Sequence, residues 1–245
     1  MKASPQMQAR LLELVDLDTT LAQLAHRLRS LPELIDITRM EQGETALEED
    51  VVRAQTELSD VRREVERAEG AVQQVRDRAA RNRQRLDVGT GSAKDLQGLQ
   101  HELESLARRQ SVLEDEELEA MERAEQAEAA EAKALVARQA HRERLEELRA
   151  DRDRKTAEIE AEREQVAGGR AAITADLSEE LLALYERLRA HSGSGAAPLQ
   201  QRRCGGCRLE INAVDLGRIK AAPEDEVLRC EECGRILVRV PESGL

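Results

Sequence analysis

All four cysteines of this 245-residue chain lie close together, as Cys204-x2-Cys207 and Cys230-x2-Cys233 with 22 residues between the pairs. Thiolate sulfur is a preferred ligand of Zn2+, and two such pairs can surround one ion tetrahedrally. Each pair must form a tight turn whose backbone N–H groups point at sulfur. Gly205 and Gly206 suit the first turn, and Gly234, just after Cys233, can take the positive φ that closes the second. With all four ligands supplied by protein, no coordination position is left for water or substrate, so the expected role of the ion is structural. Iron also accepts a tetrahedral thiolate set, but one Zn2+ is the expected cofactor. Neither pair sits in the βαβ pattern of a thioredoxin-like redox motif.

The residues around the cysteines read as a zinc ribbon over 201–245. "EVLRC" and "RILVRV" have strand character, and Asn212 with Asp215 can cap a short helix, "AVDLGRIKAA". From Leu199 onward eight Lys/Arg face eight Asp/Glu, and no aromatic residue is present for a base to stack on. A ribbon of that kind favours protein contacts over nucleic-acid contacts. "HSGSGAAP" precedes it, and 192–200 reads as a flexible linker.

The elements that carry this cluster are helical. The chain has no Phe, no Trp and a single Tyr185, and 36% of it is charged. A globular core usually takes much of its area from aromatics, whereas Ala, Glu, Leu and Arg in heptads build long helices. Leu14, Leu17, Leu21, Leu24, Leu28 and Leu31 step by three and four. "RSLPEL" then breaks the helix, with Ser30 and Glu33 as a capping box and Pro32 at a new start. A stricter seam runs from Leu47 to Ala79, and "LDVGTGSAKDL" turns the chain near 87–94, with Ser92 and Asp95 capping the return helix. A second seam follows from Leu96 to Leu148, and "VAGGR" is expected to break it before a third helix at about 170–191. The fold class expected is mainly α: a long antiparallel coiled-coil hairpin with a third helix over 1–191, then the small β zinc ribbon.

The turn end of the hairpin is basic in an otherwise acidic chain of net charge −12. Arg76, Arg78, Arg81, Arg83 and Arg85 close the first long helix, and Lys94, Arg108 and Arg109 open the second. These eight cations are candidates for binding an acidic protein surface or a nucleic-acid backbone. The four histidines are scattered, and no Gly-rich loop with a Lys offers a nucleotide site, so an enzyme with a small-molecule substrate is not expected. No apolar run is long enough to span a membrane, and the first 18 residues lack a signal-peptide core, so a cytoplasmic location is expected.

Several motifs, "SLPEL", "SAKDLQGLQHELESL", "LEDEELEAME", "ELLALYERLR" and "CGGC…CEECGRIL", together resemble the bacterial coiled-coil and four-cysteine zinc-ribbon family. The resemblance implies an antiparallel hairpin with a ribbon at its base and Cys204, Cys207, Cys230 and Cys233 as zinc ligands. It also implies an adaptor: some members in other bacteria are tied to flagellar or secretion systems through contacts with an alternative sigma factor and, in one branch, with messenger RNA. Glu231 and Val238 stand where the family often has Pro and an aromatic, which alters the ribbon surface but not the metal site. The expected function is a non-enzymatic adaptor that binds a protein partner. The alternatives are an RNA- or DNA-binding regulator and a purely structural coiled coil. Monomer and homodimer both stay open.

Overall fold

A computed structural model describes residues Met1–Leu245, which form two compact units, Met1–Leu34 with Ala150–Leu245 and, between them in sequence, Ile35–Arg149. The elements in chain order are α1 (Pro5–Arg29), α2 (Pro32–Val88), α3 (Ala93–Asp176), α4 (Glu179–Ser192), β1 (Ala196–Gln200), β2 (Arg203–Cys204), α5 (Ala213–Ala221), β3 (Leu228–Arg229) and β4 (Ile236–Arg239).

The unit Ile35–Arg149 is the antiparallel hairpin that the two seams require. Val51, Leu58, Val72 and Ala79 of α2 and Leu99, Leu113, Ala120 and Ala127 of α3 are buried at heptad spacing. Leu145 and Leu148 close on Ile37. Ion pairs flank the seam, among them Arg62–Glu128 at 2.7 Å, Arg123–Glu64 at 2.6 Å and Arg76–Glu114 at 2.6 Å. Such exposed pairs contribute only about 0.2–1 kcal/mol each, so the buried Leu, Val and Ala carry the hairpin and the charges set its pairing. At the turn, the Ser92 N–H donates to Asp95 at 3.0 Å and the Asp95 N–H to Ser92 Oγ at 3.3 Å, the reciprocal cap read from the sequence.

The other unit joins helices and ribbon through one sheet. Its strand order is β2-β1-β4-β3, with β1 and β4 parallel and the outer pairs antiparallel. Side chains alternate across a strand, and here both faces are covered. Ala196, Ile236 and Val238 enter a core with Leu11 and Leu14 of α1, Ile173 of α3 and Leu181, Leu184 and Tyr185 of α4. Ala197, Leu199 and Leu237 enter a second core with Ile219, Leu228, Cys204 and Cys230. The first three residues join this sheet region: the Ala3 N–H donates to the Asp225 carbonyl at 2.8 Å, and the Val227 N–H to the Met1 carbonyl at 3.1 Å.

Four expectations change. Residues 192–200 are not a linker, because 196–200 are β1, with Ala196, Ala197 and Leu199 buried. The partner of that strand lies 40 residues on, and Gly195 allows it to pass: a Cβ there would meet the Tyr185 ring and carbonyl at 2.5 Å. The helices 1–191 and the ribbon 201–245 are therefore not separate domains, since one core is shared between α1, α3, α4 and the sheet. The third helix begins at Glu179 rather than near 170, as Gly168 and Gly169 stay within α3. Val166, Arg170 and Ile173 anchor that turn on either side, and packing of that kind outweighs the roughly 1 kcal/mol each glycine costs. Finally, Ser30 caps the end of α1 by donating to the His26 carbonyl at 2.9 Å, and Glu33 pairs with Lys155, so no capping box forms there. The helix break and Pro32 at the start of α2 stand as read.

Candidate metal centre and hairpin tip

The two cysteine turns are built alike. In each, the N–H four residues after the first cysteine donates to that cysteine's carbonyl, Arg208 to Cys204 at 2.7 Å and Gly234 to Cys230 at 2.8 Å. Both donors lie at positive φ, Gly234 at 74° and Arg208 at 65°. Glycine meets that requirement freely, and Arg208 meets it at a cost of order 1 kcal/mol. Within each turn the backbone N–H groups of the last two residues, Gly206 with Cys207 and Glu232 with Cys233, point at the first sulfur.

The result is a ligand set. The four Sγ atoms all lie within 4.8 Å of one another, with Cys204–Cys233 at 3.7 Å and Cys207–Cys230 at 3.8 Å. A tetrahedron with Zn–S bonds of ~2.3 Å has edges of about 3.8 Å, which these two separations match, so the four sulfurs suit one Zn2+. Burial raises the Cys204 thiol to about 12, against the backbone N–H groups that favour its anion. Burial raises Cys230 too. Burial acts the same way on Cys233, but hydrogen bonds outweigh it, first from the Arg235 N–H and then from its guanidinium, and bring it down to about 7. The site thus needs a cation to hold four thiolates together, and binding must release protons.

Two supports around this centre were not read from the sequence. The Arg235 guanidinium, beside the Cys233 sulfur, donates to the Ser192 carbonyl at the end of α4 at 2.6 Å. Gly206 leaves room for it, as a Cβ there would stand 2.7 Å from Arg235 Cδ. On the far side of the sheet, the buried Tyr185 hydroxyl donates to Asp18 at 2.7 Å, and Arg170 reaches the same carboxylate at 2.7 Å. Arg189 lies 3.5 Å from Asp18, and both arginines pair with Glu186. The motif "YERLR" supplies Tyr185, Glu186 and Arg189, so a signal was present, but Asp18 and Arg170 come from distant helices.

The eight tip cations divide. Arg76 pairs with Glu114 at 2.6 Å and Arg78 with Glu102 at 2.5 Å. Arg81, Arg83, Arg85, Lys94, Arg108 and Arg109 are exposed, and none forms an ion pair. A groove opens beside them, floored by Val75, Leu106 and Leu113 and edged by Asp77, Arg78, Arg81 and Arg109.

Two family models match the chain: the CT398-like coiled coil hairpin domain over residues 14–193 and the C4-type zinc ribbon domain over 203–237. The uncharacterized protein Rv2229c of Mycobacterium tuberculosis is 42% identical over 240 residues, covering 98% of each chain. The uncharacterized protein ML1638 of Mycobacterium leprae is 34% identical, over 90% of this chain and 95% of its own. A solved structure from Mycobacterium smegmatis superposes with a TM-score of 0.77 at 37% identity, covering 98% of this chain and all of that one. CT398 from Chlamydia trachomatis shares the fold at 16% identity, with a TM-score of 0.57 over 96% of this chain and 98% of its own.

Proposed function

Because this chain belongs to the CT398-like coiled-coil hairpin family and carries a C4-type zinc ribbon, we propose that it is a non-enzymatic adaptor whose ribbon binds a protein partner. Zinc in a set of four protein thiolates has no open position for a substrate, so its part is to hold the ribbon surface in shape. The observation that carries the reading is on that surface. A pocket beside the second cysteine turn is floored by Ile211, Ile219 and Leu237, and Leu209 at its edge is 52% exposed. Val214, on the first turn of α5, is 83% exposed. Arg218, Glu231 and Glu232 edge the same pocket. An apolar centre with a charged rim is the pattern of a protein-binding surface, and the ribbon's balanced charge gives phosphate little attraction. No helix is long and apolar enough to cross a membrane, and reduced thiols suit the cytoplasm, which is the compartment we assign to this role.

The test is capture from native lysate with the intact protein and a Leu209→Asp/Val214→Asp variant. The variant should keep one zinc per chain and lose a partner that survives salt and nuclease treatment. Equal capture by the two proteins overturns the reading.

A further inference from the structure

We propose that the turn end of the hairpin is a second docking site, a groove that takes an acidic, amphipathic helical segment of a partner protein. The proposal rests on the adaptor reading and adds a site on the other unit. Its basis is uncompensated charge beside apolar surface. The unit Ile35–Arg149 has nine Lys/Arg without an ion pair, and six of them fall between Arg81 and Arg109; the others are Arg67, Lys133 and Arg138. From Arg76 to Arg109 eight Lys/Arg stand against five acids, of which Glu102 holds Arg78 and Asp95 closes the turn, while Asp77 accepts from the neutral Gln73 amide. Arg81 on α2 and Arg109 on α3 line the groove without an ion pair, and Asp77, one turn before Arg81, is the one carboxylate on its edge.

The floor decides what kind of anion fits. Val75 and Leu106 are half-buried and offer apolar surface, above Leu113, which is buried in the seam seven residues on from Leu106. Val75 from α2 and Leu106 from α3 would receive leucines of the i, i+3/i+4, i+7 apolar stripe of a helix laid in the groove. A nucleic-acid backbone gains nothing from such a floor, and a base has no ring to stack on, since Tyr185 is the chain's single Phe, Trp or Tyr and is buried in the other unit. Glutamates beside a leucine stripe would meet both parts, the leucines on the floor and the carboxylates on the arginine edges.

The experiment uses the full chain and a fluorescent 18-residue helical peptide with leucine at i, i+3/i+4 and i+7 and glutamate on the flanks. A control peptide replaces each leucine with serine, and an oligouridine RNA is titrated in parallel. Anisotropy should show binding that weakens with salt, at least tenfold weaker for the control, and at least tenfold weaker for Arg81→Glu/Arg109→Glu protein. Both arginines are exposed, so that variant should keep the parent's circular dichroism and melting temperature. The Leu209→Asp/Val214→Asp protein should bind the peptide as the parent does, which keeps failure of the tip separate from failure of the ribbon. Equal binding of the control peptide overturns the proposal, as does RNA binding that is tighter than the peptide's and lost in the same variant. A mass that rises with concentration in the parent but not in Arg81→Glu/Arg109→Glu would assign the groove to a second copy and overturn it as well.

Discussion

Tyr185 shows most directly how one residue reports on the whole site. It is fully buried, its hydroxyl donates to Asp18, and no other Tyr, Trp or Phe is present to mask it. Burial first, then the hydrogen bond to the Asp18 carboxylate, hold its proton well above the ordinary phenol range. An unfolded tyrosine releases its proton near ~10, so above that pH the folded chain keeps a proton that the unfolded chain has lost. Stability from this group is therefore complete below pH ~10 and falls as pH rises beyond it. In an alkaline titration followed by phenolate ultraviolet absorbance, the signal should appear only with unfolding. Independent ionisation of Tyr185 in a chain that keeps its native circular dichroism would contradict the burial. Tyr185→Phe, which deletes a hydrogen bond to a charged group, should cost about 1.5–3 kcal/mol by denaturant melting. The four ligands were legible from type and spacing alone, as were Gly234 and the Asn212 cap, whose side chain accepts from the Asp215 N–H at 2.9 Å. Arg235 was not, because its role depends on the end of α4, 43 residues away, and only the fold brings the two together.

Among the elements, local pattern holds except where a distant partner overrides it, as Lys155 does at Glu33 and as the packing around Gly168 and Gly169 does in α3. The hairpin seams, its capped turn and the helix α5 follow from periodicity and caps within a few residues. Strand β1 has almost no local signal: Ala-Ala-Pro-Leu-Gln is a strand because β4 lies beside it and two cores cover its faces. The glycines on either side of α4 make the contrast testable. Gly168 lies in α3 with open space where a Cβ would stand, whereas a Cβ on Gly195 would collide with Tyr185. Gly168→Ala should raise stability by about 0.5–1 kcal/mol, since it removes unfolded-state freedom and adds a better helix former. Gly195→Ala should lower it by about 1–3 kcal/mol through overpacking. Thermal melts of the two variants should shift in opposite directions, and a shared sign would mean that the two glycines are not so differently placed.

For the whole molecule, zinc and the helical core meet across a single sheet. Ala197, Leu199 and Leu237 face the metal side while Ala196, Ile236 and Val238 face Tyr185 and its neighbours. Structural zinc binding acts as folding free energy, so its loss should pass through β1 and β4 into the core of α1 and α4. Stripping the metal with a chelator should therefore expose Tyr185 to alkaline titration or a fluorescence quencher. Most far-ultraviolet helicity should persist, because the unit Ile35–Arg149 has its own seam. A quencher-resistant Tyr185 in zinc-free protein would show that the helical core stands alone. Cys230→Ser should reproduce the chelated state and lower zinc content from one per chain to none.

The bonds from Met1 and Ala3 to Val227 and Asp225 also set a timetable. During synthesis Ala3 leaves the ribosome 222 residues ahead of the carbonyl it will bond, an interval of roughly 10–45 s at about 5–20 residues per second. The hairpin between them closes through a short local turn and can form within that interval. The apolar stripe of α1, Leu11 and Leu14 included, meets Ile173, Leu181 and Leu184 first, and its strand partners Ile236 and Val238 come last of all. The core that joins α1 to β1 and β4 therefore closes late, and the cell pays for it in waiting time.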